Sequence, residues 1–140
     1  MIRQLENKDI DIVMEIWLKS TIKAHDFISK EYWEENYNTV KNVYIPIADN
    51  FVYVEGDEIK GFISVINNEF IGALFVDIDC QGYGIGRSLI EYVIEKFGKL
   101  KLAVYKDNIE SVGFYKKMGF KVISEGINED SGFGEYIMEK

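Results

Sequence analysis

Glycine at alternate positions in one short segment is the feature of this sequence that most restricts its fold. Gly82, Gly84 and Gly86 lie between an apolar run, Phe70–Val76, and an amphipathic segment, Ile85–Phe97. The apolar run predicts a buried strand, and apolar residues three and four apart in the second segment predict a helix. Glycines let the intervening backbone turn tightly, so successive N–H groups meet at a helix N-terminus, where a pyrophosphate is favoured.

This loop differs from two common nucleotide-binding motifs. A Walker A loop continues with Gly-Lys-Ser/Thr, and no such triplet follows here. The dinucleotide motif needs a glycine three positions after Gly84, where this sequence has Arg87. Nucleotide hydrolysis and hydride transfer therefore lose support, while a strand-to-helix turn without a ligand stays open as an alternative.

The N-terminal third predicts a strand and two helices. Residues 2–5 form the strand, and Asn7 is an N-cap candidate for an amphipathic helix that continues to about Lys23. Ser29 caps a second helix, which is expected to end before Pro46 because the residue before a proline is disfavoured in helical conformation.

From Asn50 onward the apolar pattern predicts three consecutive antiparallel strands, joined by turns at residues 56–57 and 67–68. The further predicted elements are a helix ending at Gly98, a strand at Lys101–Tyr105, a helix from Asn108 to about Met118, and strands at Phe120–Ile127 and Phe133–Met138. This order predicts an α+β fold with a mixed, mostly antiparallel sheet flanked by helices.

Composition restricts the class of protein further. The chain has 140 residues, is 47% hydrophobic and contains no linker-like segment, so residues 1–140 are expected to form a single domain. One cysteine, Cys80, and one histidine, His25, cannot form a disulfide or a His/Cys metal cluster, so no metal is expected. The absence of a long apolar run predicts a cytoplasmic protein that does not bind a membrane.

Charge is unevenly distributed along the chain. The net charge of −8 disfavours nucleic acid as a partner. Residues 87–121 contain eight Lys or Arg against four Asp or Glu, a local charge of +4 that leaves −12 elsewhere. Either these are ordinary solvated helix faces, or an anionic ligand binds near this segment and a cationic one near the rest.

Two sequence blocks resemble one known family. Gln81–Gly86 matches the Q/R-x-x-G-x-G/A signature of the GNAT superfamily of acyl-CoA-dependent N-acetyltransferases. Asn108 followed by Gly113–Phe120, with its Phe-Tyr and Gly-Phe pairs, resembles the second recurring block of that family in the expected order. The element order is also similar to the GNAT fold along essentially the whole chain, so the resemblance implies an acetyl-CoA-dependent N-acetyltransferase.

The resemblance also implies where acetyl-CoA binds. The strand at Leu74–Val76 and the strand at Lys101–Tyr105 would splay apart around the pantetheine, and backbone N–H groups of the glycine loop would hold the pyrophosphate. The positively charged segment begins at this loop, which agrees with an anionic ligand. The implied cofactor-binding residues are Leu74, Phe75, Val76, Gln81, Gly82, Tyr83, Gly84, Ile85, Gly86, Arg87, Ser88, Asn108 and Tyr115.

Acetyl transfer to an amine requires the amine to lose a proton, because an alkyl amine has a pKa of about 10.4. A backbone N–H near Leu74–Val76 is placed to stabilise the negative charge on the acetyl oxygen. By resemblance, Tyr115 is the proton donor to the departing thiolate. A covalent route through Cys80 is disfavoured because no base partner is visible.

The general base is not identified by the resemblance, because residues 70–72 carry no ionisable group where many family members have one. Glu69 is the nearest carboxylate but falls at a turn, where it is expected to be solvated. His25 titrates near neutral pH and is the catalytic candidate, although a surface or capping role is the favoured alternative. A water chain that ends at a strand backbone or at Tyr53 stays open as the base.

Several properties stay open at this stage. The acceptor amine belongs to a small molecule, expected to be cationic, or to a protein lysine or N-terminus. A non-catalytic acyl-CoA-binding module is the alternative function, because the strand carboxylate is missing. Dimers are common in the family, and an exposed Tyr136 would contribute to a homodimer.

Overall fold

The protein, described over residues 1–140 by a computed structural model, forms one seven-stranded sheet with helices on both faces. The strands are β1 (Ile2–Gln4), β2 (Asp49–Glu55), β3 (Glu58–Ile66), β4 (Phe70–Val76), β5 (Lys101–Tyr105), β6 (Lys121–Ile127) and β7 (Gly134–Glu139). The helices are α1 (Ile10–Ala24), α2 (Lys30–Thr39), the one-turn α3 (Ile45–Ile47), α4 (Ile85–Phe97) and α5 (Ile109–Lys117).

The strand order is β1-β2-β3-β4-β5-β7-β6. Every neighbouring pair is antiparallel except β4 and β5, which are parallel. The prediction of an α+β fold with a mixed, mostly antiparallel sheet is therefore confirmed. The helix α4 forms the connection between the two parallel strands, as a parallel pair requires.

Two apolar cores cover the two faces of the sheet. Because successive strand residues point to opposite faces, Phe51 packs with the α4 and α5 side while Val52 packs with the α1 and α2 side. Leu89 on α4 and Met14 on α1 are fully buried in these two cores. The predicted apolar stripe of the first helix thus packs in the protein core. No helix in the structure has the length and apolarity to cross a bilayer.

The start of the first helix differs from the prediction. Asn7 does not cap it: Asn7–Asp9 form a single 3₁₀ turn, and α1 begins at Ile10. The buried Asp9 carboxylate accepts the Glu6 N–H at 2.8 Å and also pairs with the Arg3 guanidinium at 2.7 Å. The hydrogen-bonded ion pair with Arg3 lowers the pKa of Asp9, which forms a capping box with Glu6 around the 3₁₀ turn.

The region around Pro46 also differs. The second helix ends at Thr39, before this residue as predicted, but the chain stays helical through a π-helical turn at Val40–Tyr44 into α3. Pro46 lies in the first turn of α3, directly after the π-helical turn. Ser29 caps α2 as predicted, since its side chain accepts the Tyr32 N–H.

Candidate active site

A cleft opens where the two parallel strands separate. β4 and β5 are paired only at their beginnings, through Phe70 with Lys101 and Ile71 with Leu102. Beyond these pairs the strands diverge, and a cleft of about 700 Å³ lies between Leu74–Val76 and Ala103–Tyr105. The unpaired strand ends expose backbone donors and acceptors, which need a partner from water or a ligand.

Nearly all the predicted site residues face this cleft. Tyr83 and Ser88 are the two that do not line it. The others that line it are His25, Leu74, Phe75, Val76, Gln81, Gly82, Gly84, Ile85, Gly86, Arg87, Asn108 and Tyr115. Folding therefore gathers residues from α1, β4, the glycine loop and α5 around one cavity.

The glycine loop presents a row of free backbone donors. The N–H groups of residues 81–87 have no hydrogen-bond acceptor within the protein. Gly82 and Gly84 have φ angles of +89° and +81°, which only glycine adopts without strain, and Gly84 immediately precedes α4. These donors and the helix N-terminus form a site suited to an anion.

Ser88 differs from the other loop residues. Its backbone N–H and its hydroxyl both donate to the Gly84 carbonyl oxygen at 3.0 Å. Its N–H therefore closes the first turn of α4 and is not a free donor, contrary to the prediction for this residue.

Two side chains fix the loop against β4. The carbonyl oxygen of Val76 accepts hydrogen bonds from the Ser20 hydroxyl at 3.0 Å and from the Gln81 amide at 3.1 Å. The Arg87 guanidinium instead pairs with Glu91 at 2.8 Å. The free backbone donors, more than the charge of Arg87, thus define this end of the cleft.

Tyr115 lies on α5, half-buried between Phe114 and Phe120, and it lines the cleft. Its hydroxyl makes no hydrogen bond within the protein, whereas Tyr32 and Tyr105 are each bonded to a neighbour. Burial raises the pKa of Tyr115 well above its usual range. The hydroxyl is therefore protonated at neutral pH and available to donate its proton.

His25 is buried, with 7% of its surface exposed, so it is not a surface histidine, but it is the C-cap residue of α1, in agreement with the predicted capping role. Its Nδ1 lies 2.9 Å from the Thr21 carbonyl oxygen and 3.0 Å from the Thr21 hydroxyl. Because a carbonyl only accepts, Nδ1 carries the proton. Burial lowers the pKa of His25, against an opposing effect of the Thr21 bond, and the ring is neutral at pH 7.

Asn108 connects this histidine to α5. Its side-chain oxygen accepts the Ser111 N–H and caps the helix, which leaves its amide nitrogen 3.3 Å from Nε2 of His25. Asn108 therefore donates to the lone pair that a basic His25 would use. Of the other candidates, Glu69 is exposed at the β3–β4 turn and Tyr53 lies on β2, and neither lines the cleft.

Two carboxylates that the sequence does not single out do line the cleft. Glu110 is exposed in the first turn of α5, and Glu135 is half-buried at the start of β7. Glu135 is the register partner of Tyr105 across the β5–β7 pair. No local pattern marks Glu135, because its position depends on β7 inserting between β5 and β6.

Comparison with known proteins identifies the family. The profile of the acetyltransferase (GNAT) domain matches residues 7–140. The chain belongs to the GNAT acetyltransferase family. Two relatives from Escherichia coli K12 are the peptidyl-lysine N-acetyltransferases YiaC, 31% identical over 99% of this chain and 94% of its own, and YjaB, 36% identical over 94% and 88%. This GNAT protein is thus an enzyme, an acetyl-CoA-dependent N-acetyltransferase, and the alternative of a non-catalytic module is set aside.

Solved GNAT structures share the fold. The apo form of Escherichia coli YjaB superposes with a TM-score of 0.87 at 31% identity and covers 99% of this chain and 95% of its own. PaiA N-acetyltransferase from Thermoplasma acidophilum, solved in complex with coenzyme A, has a TM-score of 0.81 at 24% identity and covers 100% and 97%. This GNAT chain therefore has the fold of its structural neighbours.

The burial of His25 predicts its titration. Because the folded pKa lies below the ordinary value of 6.5, the unfolded chain binds the proton more readily, and the free energy of unfolding should decrease as the pH falls below about 6.5. In ¹⁵N NMR the single imidazole should show the neutral Nδ1–H tautomer at pH 7 and a midpoint below 6.5. In His25→Gln this part of the pH dependence should vanish, and a midpoint at or above 6.5 would contradict the assignment.

Proposed function

We propose that this N-acetyltransferase moves the acetyl group of acetyl-CoA to the ε-amine of a lysine in a peptide or protein. The observation that carries the proposal is the cleft between β4 and β5, which has free backbone donors on the β4 side and carboxylates on the β5 side. The first suits a pyrophosphate and the second suits a cationic amine. The names of the two Escherichia coli relatives support a peptidyl-lysine acceptor.

The residues of the cleft fit acetyl-CoA. The row of N–H groups from Gln81 to Arg87 would bind the pyrophosphate, and the unpaired backbone of Leu74–Val76 and Ala103–Tyr105 would bind the pantetheine amides. Acetyl-CoA supplies the thioester to be cleaved. Main-chain groups make most of these contacts, so the site depends on backbone geometry more than on side-chain identity.

The reactive end of the site combines two donors. A backbone N–H near Leu74–Val76 would stabilise the negative charge that develops on the acetyl oxygen as the amine attacks. The Tyr115 hydroxyl, which is protonated and has no hydrogen-bond partner, would give its proton to the departing sulfur. Direct transfer to the amine needs no acyl-enzyme, and Cys80 is not used.

Acidic side chains favour a cationic acceptor. A recess of about 240 Å³ adjoins the cleft between the end of α1 and the start of α5. Its lining contains Asp26, Asp107 and Glu110, with Lys23 as the one cationic side chain.

The acceptor is tested with a matched pair of peptides. One is N-terminally blocked and contains a single lysine, and the other has norleucine at that position and a free N-terminus. We expect acetyl-CoA-dependent thiol release and a mass increase of one acetyl group with the lysine peptide only. Acetylation of the free N-terminus alone would replace the lysine assignment with an α-amine acceptor.

Tyr115→Phe should lower kcat by roughly 10- to 100-fold and change the affinity for acetyl-CoA by less than about twofold. The loss stays moderate because a thiolate with a pKa of about 8.5 leaves without full protonation. Tyr92→Phe is the matched control, since Tyr92 packs on Phe51 away from the cleft. Turnover of Tyr115→Phe equal to wild type would remove the tyrosine from the mechanism.

Gly84→Ala should raise the dissociation constant for acetyl-CoA about tenfold in calorimetry, because a side chain at a φ of +81° forces the loop donors to reorient. Gly56→Ala, in the β2–β3 turn at a φ of +63°, introduces comparable backbone strain away from the cleft. An added Cβ has open space at both positions, so steric contact does not complicate the comparison. Equal affinities of the two variants would refute the pyrophosphate site.

A further inference from the structure

The cleft contains one carboxylate in the right setting to take a proton from the acceptor. The β4 positions 70–72 carry no ionisable group. Of the groups lining the cleft, His25 has its free nitrogen facing the Asn108 amide, and Glu110 is exposed. Glu135 is the remaining carboxylate among the lining residues.

The position of Glu135 follows from sheet register. It pairs with Tyr105, the last residue of β5, so both side chains extend from the same face of the sheet at the end where β4 and β5 diverge. This is the face covered by α1 and α2, on which Phe27, Trp33 and Tyr105 pack together. Tyr115 belongs to α5 on the opposite face.

The Glu135 carboxylate has only one polar partner in the protein. One of its oxygens accepts the Asn128 side-chain amide at 3.3 Å, and no Lys or Arg forms an ion pair with it. Lys106, which directly follows β5, instead lies 3.5 Å from Glu125 and over the Tyr136 ring. A half-buried carboxylate without a paired cation is stabilised when a cationic group binds beside it, because an unpaired buried charge is costly.

The titratable groups around Glu135 come from several elements. β5 contributes Tyr105, whose hydroxyl donates to Ser131, and the β6–β7 turn contributes Asp130, which accepts the hydroxyl of Tyr32 from α2. From α1 the neutral His25 packs against the Tyr105 ring. Apart from Lys106, which pairs with Glu125, the immediate surroundings are aromatic or negative, and both favour an ammonium group.

We propose that Glu135 accepts the proton of the acceptor ammonium, an inference that rests on the proposed acetyltransferase reaction with a lysine. One of the three ammonium protons moves to a Glu135 oxygen, which frees the nitrogen lone pair. The new N–C bond forms and the C–S bond breaks, while the sulfur takes the Tyr115 proton. A second proton leaves the nitrogen and reprotonates Tyr115 by way of solvent, while the third stays on the amide. Glu135 then releases its proton to solvent, so the overall reaction releases one proton.

This role predicts a particular pH dependence. With Glu135 present, the abundant ammonium form is the substrate, and kcat/KM should change little between about pH 7 and pH 9. With Glu135→Gln only the neutral amine reacts, and its fraction rises about tenfold per pH unit below a pKa of about 10.4. The variant should therefore lose about 100-fold or more in kcat/KM at pH 7 and recover much of that loss near pH 9.5.

The experiment compares wild type, Glu135→Gln, Glu135→Asp and Glu125→Gln with the blocked lysine peptide over this pH range. Glu125→Gln is the matched control, because it carries the same change on the neighbouring strand, where Glu125 pairs with Lys106 and does not line the cleft. Calorimetry with acetyl-CoA, which should give similar affinities for all four proteins, shows that each variant is folded.

The outcomes distinguish a failure of the proposed function from a failure of the role assigned to Glu135. Activity of wild type with the lysine peptide tests the proposed function, and the ratio of variant to wild type tests Glu135. A pH-dependent loss in Glu135→Gln, with a wild-type-shaped profile in Glu135→Asp, supports the proposal. A loss that is equal at all pH values, or no loss, overturns it. If Glu135→Gln does not bind acetyl-CoA, the profile of Glu135→Asp decides by the same criterion.

Discussion

The structure depends on the incomplete pairing of two strands. β4 and β5 form only two residue pairs before they separate. On their other sides β5 is paired with β7 along its whole length, and β4 is paired with β3 at every residue except Gly72. Those outer pairs hold the strands apart, and α1 reinforces β4 through the Ser20 bond to Val76. The backbone groups that a closed sheet would satisfy internally are left for a bound molecule. The cleft is therefore a consequence of sheet topology.

The two sides of the cleft differ in electrostatic character. On the β4 side the free N–H groups of Gln81–Arg87 and the start of α4 provide partial positive charge without a mobile cation. On the β5 side Glu135 and the aromatic side chains around Tyr105 provide negative potential. The β4 side therefore suits a diphosphate and the β5 side a cationic amine. The local charge excess of residues 87–121 contributes less, since Arg87 is paired with Glu91.

Burial shifts the pKa values of two groups near the site in opposite directions, upward for Tyr115 and downward for His25. Burial favours the neutral form of each, which keeps Tyr115 protonated as a donor and keeps His25 unprotonated. His25, through Thr21 and Asn108, links the end of α1 to the start of α5. Its structural contribution is to hold these two elements on either side of the cleft. The same contacts withdraw its lone pair from the reaction.

The sequence by itself determined the elements whose cause is local. The Asn67–Asn68 turn, the helix stop at Gly98 and the Asn108 cap each depend on conformational preferences within a few residues, and the structure shows all three. The glycine loop was visible for the same reason. Tertiary structure decided the features that depend on more distant partners. Arg3 pairs with the buried Asp9, burial makes His25 a structural link in place of a candidate base, and the insertion of β7 beside β5 brings Glu135 to the cleft. Contacts between strands are set by sheet order and register, which local spacing does not encode.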